Sequence, residues 1–155
     1  VAFGATALAG AAATVIKTAG DNQTATVNSA VAVDPEVQVT DQFGNPTSAI
    51  DIADAILRIA PGLSGAPGSG AVLHCCGEGS TTWCGFARHI FAASARLGGP
   101  APKVEAITTA QFPTPARRPG NSRMETGAFA ARFGFALRRW QDAADETVAR
   151  LLAGS

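Results

Sequence analysis

Tyrosine is absent from this 155-residue sequence, and aromatic and charged residues make up only 6% and 15% of it. Without tyrosine, these residues offer no phenolic hydroxyl as a proton donor. The formal net charge is zero, so no overall field attracts nucleic acid or an anionic membrane. No run approaches the roughly 18 consecutive apolar residues of a membrane span. The composition therefore predicts a globular protein with neither nucleic acid nor a membrane as its partner.

Cysteines are few and lie close together. Cys75, Cys76 and Cys84 form an odd, clustered set, which is not the pattern of a disulfide framework. A reducing cytoplasm is the simpler interpretation for residues 41–155. Adjacent cysteines are poorly spaced for one zinc ion, and no CxxC pair is present. We therefore predict no metal site.

Recognised catalytic and phosphate-binding patterns are also missing. The sequence contains neither GxGxxG nor GxxxxGKS/T. The stretch from Gly4 to Gly10 faintly resembles a dinucleotide-binding turn, but Ala7 stands where the pattern needs glycine. No Ser/His/Asp order and no paired-carboxylate arrangement stands out. We assign no catalytic residue.

Short strands are predicted in three regions. Thr and Val alternate at Gln23–Asn28 and again at Val37–Thr40, which favours β-strands in residues 14–40. The apolar run at residues 71–74 is best interpreted as a buried strand, and Lys103–Thr108 as another.

Helices are predicted from Gly44 onward, where the apolar period changes. The first helix has Ser48 as its N-cap and ends at Pro61-Gly62. The second follows a cap at Ser80 or Thr81. A short third helix ends at Gly134, and a final amphipathic helix begins near Trp140. Helices and strands alternate over residues 45–155, which indicates an α/β class, or an α+β fragment, preceded by short β-strands.

The proline-rich loop Gln111–Met124, QFPTPARRPGNSRM, is the strongest candidate site. Three prolines fix backbone φ angles and make the loop stiff. Arg117, Arg118 and Arg123 supply guanidinium groups, whose planar forks match phosphate oxygens, and Asn121 adds a neutral hydrogen-bonding group. The pattern favours a phosphorylated ligand, with a solvated basic loop as the alternative.

The segment DQFGNPTSAID, residues 41–51, delivers the chain through a Gly-Asn-Pro turn into a helix N-terminus. Backbone N–H groups there can bind an anion. An ordinary capped helix start is the more frequent reason for such a pattern.

Residues 41–155 resemble the C-terminal part of dTDP-4-dehydrorhamnose reductases, a family of extended short-chain dehydrogenases. Three blocks carry the resemblance, DQFGNPTSAIDIADAILRIA, AVLHCCGEGSTTWCGFARHIF and ITTAQFPTPARRPGNSRMETGAF, and the last helix, LRRWQDAADETVARLL, also fits. The resemblance implies the substrate-binding part of an enzyme that uses NADP or NAD to reduce dTDP-4-keto-L-rhamnose to dTDP-L-rhamnose for polysaccharide.

In that family an N-terminal Rossmann half carries the glycine-rich turn and a Tyr-x-x-x-Lys pair, and neither occurs in this sequence. We therefore expect an inactive fragment that binds no cofactor alone and retains part of a dTDP-sugar site. Exposed helix faces would favour self-association or a partner Rossmann half. The resemblance assigns seven residues to substrate binding: Gln42, Pro46, Thr47, Arg117, Arg118, Asn121 and Arg123.

Residues 14–40 do not fit the reductase. They resemble a bacterial immunoglobulin-like repeat, which divides the chain into residues 1–40 and 41–155 and implies a cell-surface location for the first part. A chimera joined near Asp41–Pro46 is one hypothesis, and a diverged reductase is the other. The alternative functions are a non-enzymatic adhesin module and a structural scaffold without a ligand.

Overall fold

A computed structural model describes residues 16–19, 36–63, 71–113, 115 and 119–154. Strands and helices alternate in it, which confirms the predicted α/β class. The strands are β1 (Ile16–Ala19), β2 (Glu36–Thr40), β3 (Phe43–Gly44), β4 (Thr81–Thr82) and β5 (Lys103–Ile107). The helices are α1 (Ala49–Leu63), α2 (Trp83–Arg96), α3 (Gly127–Phe133) and α4 (Trp140–Ala153), and a 3-10 turn covers Thr109–Gln111.

A three-stranded sheet has β2 at its centre, antiparallel to β1 and parallel to β5. Val37 and Val39 alternate with polar residues along β2, and both are buried against Cys84 of α2. Period-2 alternation therefore places one face of β2 under α2. The strand predicted at Val37–Thr40 is confirmed. The predicted strand at Gln23–Asn28 lies outside the described residues.

Helix α1 begins as predicted, because the Ser48 hydroxyl accepts hydrogen bonds from the backbone N–H groups of Ile50 (3.2 Å) and Asp51 (3.5 Å). It continues through Pro61 to Leu63, slightly beyond the predicted end. The φ angle of proline, near −65°, is itself helical, so the last turn is completed before the chain leaves the helix.

The cap of α2 is Thr82, not Ser80 or Thr81. Its hydroxyl accepts a hydrogen bond from Gly85 N at 2.9 Å. Thr81 and Thr82 pair with β3, so the chain stays extended for longer than the local pattern indicates. At the other end of the chain, α3 ends at Gly134 with φ of 73°, as predicted.

The predicted buried strand at residues 71–74 is wrong. These residues form no strand, and Val72 is 86% exposed. Only Leu73 packs against a core cluster, whose buried members are Ala55, Phe129 and Leu137. A short apolar run specifies a strand only when a neighbouring strand accepts its hydrogen bonds, and the run itself carries no information about that neighbour.

Candidate functional site

Strand β3 lies between β4 and residues 119–124. Phe43 N donates to Gly120 O at 3.0 Å, and Ser122 N donates to Phe43 O at 2.9 Å. On its other side Phe43 pairs with Thr82 of β4. We call residues 119–124 the arginine segment. It lies along β3 like a third short strand, so the second half of the proline-rich loop has a fixed position.

Asn45, in the turn after β3, connects this turn to the loop at Gly79 and to Met124 through its side-chain amide. Its Nδ2 donates to Gly79 O at 2.7 Å, and its Oδ1 accepts from Met124 N at 2.8 Å. The next contacts continue this connection, since Thr47 Oγ1 donates to Asn45 O at 3.0 Å and accepts from Gly77 N at 3.0 Å. The turn is therefore bonded to both neighbouring loops.

Arg123 is exposed at the end of the arginine segment. Its Nε donates to Asn121 Oδ1 at 2.9 Å, and its Cζ lies 5.1 Å from the centroid of the Phe43 ring. Such a stacked guanidinium gains a favourable cation–π contact. Among the described residues no carboxylate lies within ion-pair distance of Arg123. Arginine has five N–H donors, so most of them remain available for an anion.

The structure brings Pro46, Thr47, Asn121 and Arg123 of the predicted set together around β3. Gln42 is buried at 7% exposure, and its carbonyl accepts from Trp83 N at 3.0 Å. Gln42 therefore contributes to the packing next to β3. The N–H groups at the start of α1 already bond Ser48, which is the ordinary capped start. Arg117 and Arg118 lie outside the described residues.

The sequence pattern did not reveal the side-chain contacts of Asn45 or Arg138. Arg138 Nη2 and Nε bond the carboxylate of Asp51 at 2.9 and 3.0 Å, and Nη1 lies 2.6 Å from Glu146 Oε2. The hydrogen bonds that Arg138 donates to Asp51 and to Glu146 raise the pKa of Arg138 above its usual range, and the bond to Glu146 lowers the pKa of that carboxyl. Asp51 and Arg138 are 87 positions apart, so no local spacing could reveal the pair.

A cavity of about 460 Å³ lies between the start of α1, α2 and α4. Apolar side chains dominate its wall, including Ile50, Phe86, Trp140 and Val148. The Thr147 hydroxyl on this wall already donates to Ala143 O at 2.8 Å. The cavity is large enough for a small ligand, and its chemistry suits apolar groups rather than an anion. Pro46 and Thr47 also line it, so the cavity adjoins the turn after β3.

Cysteine and metal chemistry is limited in the described part of the chain. Cys75, Cys76 and Cys84 are free thiols. Burial raises the pKa of Cys75 and of Cys76, and Cys75 adds to the second shift. The described residues contain no group of three or more His, Cys, Asp or Glu side chains that could hold a metal ion. None of the helices described is long and apolar enough to cross a membrane.

A family model described as the RmlD substrate binding domain matches residues 10–153. The chain belongs to this family. The match confirms the reductase resemblance of residues 41–155 and also includes all of residues 14–40, which that resemblance left out. The immunoglobulin-like resemblance stays a prediction.

Curated relatives agree with the family. A dTDP-4-dehydrorhamnose reductase from Sinorhizobium fredii is 37% identical over 116 residues, covering 74% of this chain and 39% of the relative. Another from Escherichia coli K12 is 36% identical over 105 residues, covering 66% of this chain and 35% of the relative. The chain thus spans only about two fifths or less of the length of these relatives.

Solved structures give the same fold. A dTDP-4-dehydrorhamnose reductase from Clostridium acetobutylicum has a TM-score of 0.64 and 32% identity, covering 76% of this chain and 39% of that one. A second, from Bacillus anthracis in complex with NADP, has a TM-score of 0.62 over 77% of this chain and 38% of that one. At 21% identity the second likeness shows the fold alone.

Proposed function

We propose that this chain is the sugar-nucleotide-binding part of a dTDP-4-dehydrorhamnose reductase, which reduces the 4-keto group of dTDP-4-keto-L-rhamnose with NADPH or NADH. The arginine segment binds the diphosphate in this proposal. One observation carries it: Arg123 is held in place by Asn121 and Phe43, yet no carboxylate among the described residues pairs with it.

The physical case rests on preorganisation. A guanidinium that is already fixed loses little conformational entropy when it binds, so more of the interaction appears as affinity. Its planar donors match two phosphate oxygens at once. Arg117 and Arg118 are proposed to add charge from the same loop. The sugar is proposed to lie toward Pro46 and Thr47, in the turn that Asn45 bonds to the arginine segment.

NADP belongs to this proposal through the relatives, one of which was solved with it. The cofactor supplies the hydride when it is bound. The residues present do not fit it: the sequence contains no GxGxxG pattern, and Ser48 already caps the helix start beside the site. We therefore derive no reaction step for this chain and propose that alone it binds a dTDP-sugar without turning it over.

Calorimetric titration with dTDP tests the binding proposal. Wild type should saturate, and Arg123→Ala should weaken binding about tenfold, the value of one charge-assisted hydrogen bond. Arg132→Ala, which removes an exposed arginine from the last turn of α3, is the matched control and should bind like wild type. A folded wild type that gives no heat at millimolar dTDP would support the scaffold alternative instead.

Catalysis is tested separately. We expect no NADPH oxidation by this chain with the keto-sugar as substrate. A rate above background would overturn the proposal that these residues only bind.

The adhesin alternative is open to circular dichroism. Four helices are described between residues 49 and 153, so a strong helical signal is expected, and an all-β spectrum would favour the immunoglobulin-like module.

The proposed division at residue 40 stays a prediction. The family match from residue 10, and the burial of Val37 and Val39 against Cys84, both favour a domain that includes β2.

We propose a cytoplasmic location for the reductase-like region, supported by its three free thiols. The cell-surface location of the N-terminal segment remains a prediction that rests on the immunoglobulin-like resemblance. Self-association through exposed apolar side chains, such as Leu57 at 72% exposure, is likewise proposed and can be measured by analytical ultracentrifugation.

A further inference from the structure

We infer that Asn45 is the positioning residue of this site, since its single amide holds the arginine segment, and with it Arg123, against the loop at Gly79. The identity of the ligand in this inference rests on the proposed function, whereas the hydrogen bonds of Asn45 do not depend on it. Both ends of the amide are used: Nδ2 donates to Gly79 O at 2.7 Å, and Oδ1 accepts from Met124 N at 2.8 Å.

Two glycines allow the turn to approach so closely. A Cβ on Gly77 would lie 2.4 Å from the carbonyl oxygen of Pro46, so only glycine fits there. Gly79 has φ of 85°, a left-handed conformation that glycine adopts at little cost, and its carbonyl faces the Asn45 amide. The loop on one side of Asn45 is therefore fixed by backbone packing.

The arginine segment on the other side has less support. Its links to β3 come from Gly120 and Ser122, and beyond Ser122 the next backbone bond to a neighbouring segment is the one from Met124 N to Asn45. Arg123 lies between these two anchors. Asn45 therefore sets the distance between the guanidinium and the Pro46–Thr47 turn, where the sugar is proposed to lie.

Trypsin provides a test that needs no ligand, because it cleaves after Arg123 only when the segment opens. We expect Asn45→Ala to speed the appearance of the fragment that begins at Met124 by about tenfold, as the loss of one to two net hydrogen bonds requires. Asn45→Asp keeps the acceptor for Met124 N but cannot donate to Gly79 O. Its cleavage rate should therefore lie between those of wild type and Asn45→Ala.

Gln38→Ala is the matched control. It also removes one side-chain amide hydrogen bond, from Nε2 to Glu105 Oε2 at 2.8 Å, but this bond lies across the sheet between β2 and β5. Its cleavage rate after Arg123 should equal that of wild type. An Asn45→Ala rate equal to wild type, or a Gln38→Ala rate raised as much, would overturn the inference.

A double-mutant cycle on dTDP affinity separates positioning from general destabilisation. Asn45→Ala should weaken dTDP binding several-fold in wild type and leave it unchanged in Arg123→Ala, because the effect acts through Arg123. Equal loss in both backgrounds contradicts the inference. A wild type that binds no dTDP refutes the proposed function, whereas the cleavage rates still decide the role of Asn45.

Discussion

Replacing Arg138 by Met should destabilise the chain by removing the ion pairs through which Arg138 bridges Asp51 of α1 and Glu146 of α4. The guanidinium holds Asp51 through bonds of 2.9 and 3.0 Å, and Glu146 through one of 2.6 Å. The Asp51 side chain is only 12% exposed, so after the substitution little water can replace the lost donors. Met fills a similar volume, so packing losses stay small.

The expected magnitude follows from exposure. A hydrogen-bonded ion pair contributes up to about 3 kcal/mol when it is sheltered, but the Arg138 side chain is 39% exposed and water screens part of the interaction. We therefore expect a loss of about 1–2 kcal/mol in the free energy of unfolding. For a chain of this size that lowers Tm by about 4 °C.

Thermal and urea unfolding followed by circular dichroism measure this change. Arg139→Met is the matched control, because Arg139 is the adjacent exposed arginine and no ion pair of its side chain is found among the described residues. It should change the free energy of unfolding by less than about 0.5 kcal/mol. Equal stability of the two variants would mean that the Asp51 contact contributes nothing measurable.

Three further predictions concern stability and reactivity. Phe129→Ala should cost about 3–5 kcal/mol, because Phe129 is 4% exposed and packs at the centre of an aromatic cluster, whereas Leu57→Ala, at 72% exposure, should cost almost nothing. The bond from Arg138 holds the pKa of Glu146 below its usual value, so its stabilisation is present above about pH 4.3 and is lost as the pH falls through the lowered pKa. In melts at descending pH, the difference in stability between wild type and Arg138→Met should therefore narrow below about pH 4, and a constant difference would contradict this. Burial raises the pKa of Cys76, which is 3% exposed, so iodoacetamide at neutral pH should alkylate it far more slowly in the native chain than in urea. Fragmentation of the tryptic peptide 59–88, which contains all three cysteines, identifies the alkylated residue.

Local patterns predicted the parts of the fold that depend on neighbouring residues. The Ser48 cap, the Gly134 end of α3 and the alternation in β2 each involve contacts within a few positions or one strand face. Such features are set by backbone conformation and by the period of apolar residues, which the sequence displays directly. The observed cap of α2, Thr82, lies one or two positions after the predicted Ser80 or Thr81, because pairing between β3 and β4 keeps the chain extended for longer.

Long-range contacts decided what the sequence could not show. Asn45 meets Gly79 and Met124, which are 34 and 79 positions away, and no spacing rule links them. The run at residues 71–74 has the composition of a buried strand, but none of its residues pairs as a strand in the described part of the chain. Composition indicates that a segment is apolar, whereas its partner is set by the topology of the whole domain.

In the candidate site, too, the sequence indicated some of the features, and long-range contacts determined the others. Pattern and resemblance identified the arginine-rich loop and the residues around Pro46. The structure added its support, namely the pairing of the arginine segment with β3 and the amide of Asn45 between two loops. A stiff basic loop alone does not indicate which guanidinium is fixed in place, and the stacking of Arg123 on Phe43 supplies that information.

The central claim is that the arginine segment and the turn after β3 together bind the diphosphate of a dTDP-sugar. Backbone NMR shift mapping during a dTDP titration tests it most directly. We expect the largest shifts on residues 119–124 and 43–47, and we expect Arg123→Ala to reduce them. Shifts confined to the residues of α2 and α4 that line the apolar cavity, or no shifts at millimolar dTDP, would rule this binding mode out.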